Sequence, residues 1–259
     1  MSYSTYNVSF YGTEQYFMSL FASKFAASSS KISLTTNIAE QFNNSENTPR
    51  ITFSIGGVFN ITFVRNAALT SSQNTYYVYT TISGSEASTG KLLAMSTSTA
   101  SYTADTTRTW KFAVAENQNV LHIRLGSYDC NLRSPTTATT SNKSVVDIML
   151  IKEGNTSICG YNTIYGVANH YSVMQSDFVI PGVEYTSATA ANRLVYTYDP
   201  SATQTIETIA DKVFLTASST DRKITTSSLI DCSNINREQV FTMNNKKYYS
   251  VDCNTLIEV

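Results

Sequence analysis

Two histidines and four cysteines are the residues of this 259-residue chain best suited to bind a metal or to act in nucleophilic chemistry. His122, Cys130, Cys159 and His170 lie within 49 residues of one another, and their donor types suit tetrahedral zinc. Their separations of 8, 29 and 11 residues match no finger or ribbon spacing, so no metal site is predicted. Among the acids, Asp105, Asp129 and Glu153 fall near presumed loops, where a pair of carboxylates could hydrolyse a glycosidic bond. Spacing along the chain pairs none of them, and each reads as a turn or a solvated edge. The segment Gly84 to Gly90 is small and polar like a phosphate loop, but it lacks the lysine and the following helix. No HExxH, GxSxG, GxxxxGK[ST] or GxGxxG motif occurs. His122 alternates with Leu121 and Ile123 beside Arg124, which places both on the polar, solvent-facing side of a strand. The expectation is a chain that is not an enzyme and takes no cofactor.

The cysteines form no CxxC pair, and three share a short frame: Asp129-Cys130-Asn131, Asp231-Cys232-Ser233 and Asp252-Cys253-Asn254. This reads as turn chemistry beside small buried thiols. Five Asn-x-Ser/Thr triplets, at Asn7, Asn43, Asn60, Asn142 and Asn155, are what chance supplies among 21 asparagines and 70 serines and threonines.

Those 70 hydroxyl residues make 27 per cent of the chain, whereas charged residues make only 14 per cent. About 25 per cent is usual for charged residues, so hydroxyls and amides do the work of solubilising the surface. With 42 per cent hydrophobic residues and only four prolines, the chain has enough apolar surface to fold. A net charge of −1 gives no field for phosphates, so nucleic acid is not an expected partner. No run reaches the ~18 apolar residues of a membrane span, and the first residues have no basic region of a signal peptide. Neither a membrane nor export is expected.

The elements that would position any site are mostly strands. Gly12 to Ala27 predicts the one strong helix, with Thr13 as cap and Phe17, Leu20, Phe21 and Phe25 on one stripe. Such a stripe either packs on the chain's own sheet, the favoured reading, or docks a neighbouring subunit. The second use makes these four residues, with Tyr248 and Tyr249, the candidate interface. Ile51 to Ile55 and Phe59 to Phe63 alternate strictly around Gly56-Gly57. A three-residue loop, Gly56 to Val58, puts Ile51, Phe53 and Ile55 opposite Phe63, Ile61 and Phe59 on one face, as an antiparallel hairpin requires.

Further short strands are predicted at Thr75 to Ile82, Lys91 to Met95, Thr109 to Ala115, Val120 to Leu125, Val145 to Ile151, Ser172 to Ile180 and Arg193 to Tyr198. The polar tracts Ser83 to Gly90, Ser96 to Arg108 and Ser134 to Ser144 read as surface loops. Beyond Asp199-Pro200 the reading is a short helix at Ala202 to Asp211, strands at Val213 and Lys223, and a closing hairpin. Its Asn244-Asn245 turn sets Phe241 against Tyr248 and Val240 against Tyr249. The predicted fold is mainly β: an antiparallel β-sandwich or jelly-roll-like domain with an N-terminal helix and a small C-terminal β-hairpin region. The divisions are 1–49 for the helix and docking segment, 50–200 for the sandwich and 201–259 for the C-terminal β-rich subdomain.

Seventeen tyrosines add large amphipathic surfaces, useful at subunit interfaces or for stacking on sugars. A Ser/Thr/Asn/Tyr-rich β chain of low charge resembles the virion structural proteins of tailed bacteriophages, among them tail, baseplate and receptor-binding components. Its closing segment Val240 to Val259, with Asn245-Lys246-Lys247-Tyr248-Tyr249, is similar to the terminal hydrophobic hairpin and short strand of many phage virion proteins from Gram-positive hosts. The resemblance implies a subunit made in the host cytoplasm and built into a virion, whose partners are copies of itself and other virion proteins. A carbohydrate-binding module or receptor-binding adhesin, with a host surface glycan as partner, is the alternative.

Overall fold

The computed structural model describes residues 2–43, 48–65, 73–82, 85–96, 102–126, 145–153, 156–166, 172–173, 176–179, 205–215, 223–233, 239–252 and 255–259. The fold is mainly β and antiparallel with an N-terminal helix, as the alternating sequence predicts, and among the described residues the strands form three sheets. The predicted strand at Arg193 to Tyr198, the loop at Ser134 to Ser144 and the boundary near residue 200 lie outside the described residues.

Sheet I contains β1 (Ser2–Gly12), β7 (Tyr102–Glu116), β8 (Val120–Gly126), β9 (Val145–Glu153), β10 (Thr156–Gly166) and β11 (Ser172–Val173) in that order, and β12 (Ser176–Val179) also pairs with β10. Sheet II runs β2 (Ile32–Leu34), β3 (Arg50–Ile55), β4 (Phe59–Arg65), β5 (Gln73–Ile82) and β6 (Ser85–Ser96). Sheet III runs β13 (Thr205–Leu215), β14 (Lys223–Ser233), β17 (Thr255–Glu258), β16 (Lys246–Asp252) and β15 (Val240–Met243). The helices are α1 (Glu14–Ala27) and the short α2 (Ile38–Asn43).

Helix α1 starts where the Thr13 hydroxyl accepts from the Tyr16 amide at 3.2 Å, satisfying one of the free donors of the first turn. It ends where the Ser28 amide donates to the Phe25 carbonyl at 3.2 Å. Its buried stripe enters the space between sheets I and II. The Phe21 ring meets Phe53 and Phe63 of sheet II edge-on at 6.4 and 5.2 Å, and Trp110 and Phe112 of sheet I at 4.9 and 5.8 Å. Phe63 also stacks directly on Trp110 at 5.8 Å. The aromatic core is thus a three-way joint of helix and two sheets.

The β3–β4 hairpin has the register the face rule predicts, with Ile51 opposite Phe63, Phe53 opposite Ile61 and Ile55 opposite Phe59. Gly56 and Gly57 take φ of +60° and +71°, a conformation that L side chains with a Cβ resist. The closing hairpin also pairs as predicted, Val240 with Tyr249 and Phe241 with Tyr248, around Asn244 and Asn245 at φ of 51° and 63°. Both turn residues at positive φ make the mirror-image turn that suits the twist of a hairpin.

Several expectations are corrected. Residues 205–211, expected within the helix at 202–211, are instead part of strand β13, which continues into the strand expected at Val213, because Thr205, Ile206 and Asp211 pair along β14 and that pairing overrides local helix propensity. Ser85 to Gly90 and Tyr102 to Arg108 are not loops; they extend β6 and β7, whose backbones pair with β5 and β1. Residues 38–43 form the short helix α2. Strand β1 was not foreseen, although Tyr6, Val8 and Phe10 alternate with Thr5, Asn7 and Ser9.

Every residue of β8 is buried. Contrary to the solvent-facing side that alternation predicts for His122 and Arg124, both have 0% exposure. One face of β8 supplies Leu121, Ile123 and Leu125 to the aromatic core. The other face meets sheet III, where Ala115, Val120, Met149 and Ile151 pack with Tyr249 and Ile257. The His122 ring lies 5.7 Å from that of Tyr249. A single sheet face therefore carries polar residues without facing water.

Candidate subunit interface

Of the six residues predicted to meet a neighbour, Phe17, Phe21 and Phe25 are fully buried in the aromatic core, and Leu20 packs partly buried against it. Tyr249 is fully buried on the second face of sheet I, and Tyr248 is buried where its ring stacks with Phe241. Phe17, Phe21, Phe25, Tyr248 and Tyr249 are thus covered by the chain's own elements, the alternative that the helical stripe also allowed, and Leu20 alone of the six keeps part of its surface open.

The described polar groups form internal junctions between elements. At the start of α1, Glu14 accepts a short hydrogen bond from the Tyr76 hydroxyl of β5 and pairs with Arg65 of β4 at 3.2 Å. Burial first, then the charge of Glu14 and its hydrogen bond, push the Tyr76 phenol well above its ordinary range, against a smaller opposing pull from Arg65. After α1, Ser29 donates to Glu116 at 2.6 Å, and Lys31 reaches the same carboxylate at 3.6 Å and the Asn117 carbonyl at 2.5 Å.

Asn117 is the hub of that junction. Its side-chain oxygen accepts from the amides of Asn119 and Val120, each at 2.8 Å, and shapes the β7–β8 turn. Its side-chain amide donates to the Glu258 carbonyl of β17 at 2.9 Å, tying sheet III to sheet I. At the exposed end of the closing hairpin, Lys246 pairs with Glu258 at 2.8 Å. The hydrogen bond to Glu258, then its charge, raise the lysine's pKa.

Of the potential zinc donors, His122 sits in β8 and Cys159 in β10, while Cys130 and His170 lie outside the described residues. Among the described residues no group of three or more His, Cys, Asp or Glu side chains is placed to hold a metal ion. Asp105 is in β7 and Glu153 ends β9, whereas Asp129 is outside the described residues. Cys232 lies in β14, and Cys253 is outside them. Among the described residues no helix is long and apolar enough to cross a membrane.

What the described surface offers a partner is the edges of its sheets. Sheet I ends at β1, where Ser2, Thr5 and Asn7 are exposed. Sheet II ends at β2, with Leu34 37% exposed, and sheet III at β15, with Val240 38% exposed. An edge strand presents a row of backbone donors and acceptors to any extended chain that can align with it. Comparison with protein-family models, curated proteins and solved structures finds no match.

Proposed function

We propose that the chain is a non-enzymatic structural subunit of a bacteriophage virion, of the tail or baseplate, acting through contacts with copies of itself and with other virion proteins. The observation that carries this reading is the fold of its closing residues. The segment that resembles phage virion proteins forms a tight hairpin, β15–β16, followed by the short strand β17. Those are the elements the resemblance names. Sheet edges with no further strand partner among the described residues, and a surface solubilised by hydroxyls, add to it, because assembled β subunits hide their edges in neighbours. Of the described tyrosines, Tyr76, Tyr248 and Tyr249 are buried and so cannot stack on a glycan, whereas Tyr16 is 52% exposed. Immunogold electron microscopy with antibodies against the chain tests the reading. Gold on one fixed part of intact particles is the expected result, and gold confined to unassembled lysate protein would refute it.

A further inference from the structure

The sheet edges differ sharply in how they are protected. Strand β2 has three residues and follows Lys31, β11 has two, and β15 has four and leads into Lys246 and Lys247. Strand β12 carries Asp177, β6 carries Glu86 and Lys91, and β13 carries Glu207, Asp211 and Lys212. Short length and charge are the usual devices that stop one edge from pairing with another. Strand β1 has neither: it is 11 residues long and contains no Lys, Arg, Asp, Glu or Pro. Its register with β7 runs unbroken from Ser2 to Ser9, and irregularities begin only after Ser9. Among the described residues its one strand partner is β7.

We infer that β1 is the strand through which two copies of this chain join, antiparallel and related by a two-fold axis, so that sheet I of one copy continues into sheet I of the other. An extended backbone edge selects an extended strand as its occupant. The same edge on a second copy fits because no like charges meet when β1 is paired with itself, whatever the register within residues 2–9. A two-fold pairing also leaves no further β1 edge open, so association stops at two. The exposed Thr5 and Asn7 lie on one face of β1, where the short polar side chains of both copies come side by side.

This rests on the reading that the chain works by joining copies of itself, yet it fails separately from it. The test is sedimentation equilibrium of the full chain and of two double variants, Thr5→Lys/Asn7→Lys and Thr5→Glu/Asn7→Glu. The native chain is expected to dimerise reversibly. Each variant, with like charges facing across the axis, is expected to weaken the dimer by about tenfold or more. An equal mixture of the two variants is expected to restore a heterodimer, a result that misfolded variants would not give. A native chain that stays monomeric up to its solubility limit overturns the inference, as do variants that dimerise as well as the native chain. A dimer broken and rescued in this way, from a chain absent from particles, would uphold β1 and overturn the virion reading.

Discussion

At the level of single residues, Phe21 is where the aromatic core is most concentrated, because its ring meets Phe25, Phe53, Phe63, Trp110 and Phe112. Phe21→Ala removes a fully buried ring from a joint of helix and two sheets, and about 3–5 kcal/mol of stability should be lost in urea unfolding. Tyr76 makes a different contribution. Its neutral phenol donates to Glu14, and burial raises its pKa, so the stability it lends is fully present below the unfolded phenol's pKa of about 10. That stability is lost as pH rises through the folded value. Alkaline unfolding should therefore begin at a higher pH in Tyr76→Phe than its neutral-pH stability alone would suggest. The same substitution should cost about 1–2 kcal/mol at neutral pH, when compared by thermal melts across the alkaline range. The phenylalanine stripe was legible in the sequence because helical spacing exposes it. The burial of His122 and Arg124 was not, since alternation tells which residues share a face but not whether a second sheet covers it.

At the level of elements, the two hairpins were legible to the residue, since face matching fixes the register once the turn residues are known. Their turns make separable predictions. Gly56 and Gly57 both have positive φ, but a Cβ on Gly56 would lie 2.4 Å from Leu150 Cδ2, whereas one on Gly57 meets nothing within 4 Å. Gly57→Ala should cost about 1 kcal/mol from backbone strain alone, and Gly56→Ala more, because the side chain must also displace Leu150 of β9. Equal destabilisation of the two in denaturant melts would contradict the packing of this turn on sheet I. The Ser/Thr-rich lengths of β6 and β7 escaped recognition because both of their faces are polar, leaving no alternation to read. Strand β13 escaped because Thr205 to Asp211 also suits a helix, and only its partner β14 decides between them.

At the level of the whole molecule, α1 joins sheets I and II, and Asn117 with Tyr249 and Ile257 joins sheets I and III. Asn117→Ala should loosen the second joint without touching the first. Faster hydrogen exchange is expected in β16 and β17 than in β3 and β4, and uniform acceleration across all four would contradict this division. The candidate interface was the least legible part of the sequence. Apolar residues drew attention to α1 and the closing hairpin, whereas a sheet edge joins through backbone groups that composition does not reveal. Quantitative mass spectrometry of density-banded phage particles tests the proposed role of the chain as a building block of a particle. The intact chain is expected in a fixed copy number that is a multiple of the symmetry of one virion part. Its absence from washed particles, while abundant in the lysate that produced them, would contradict that role.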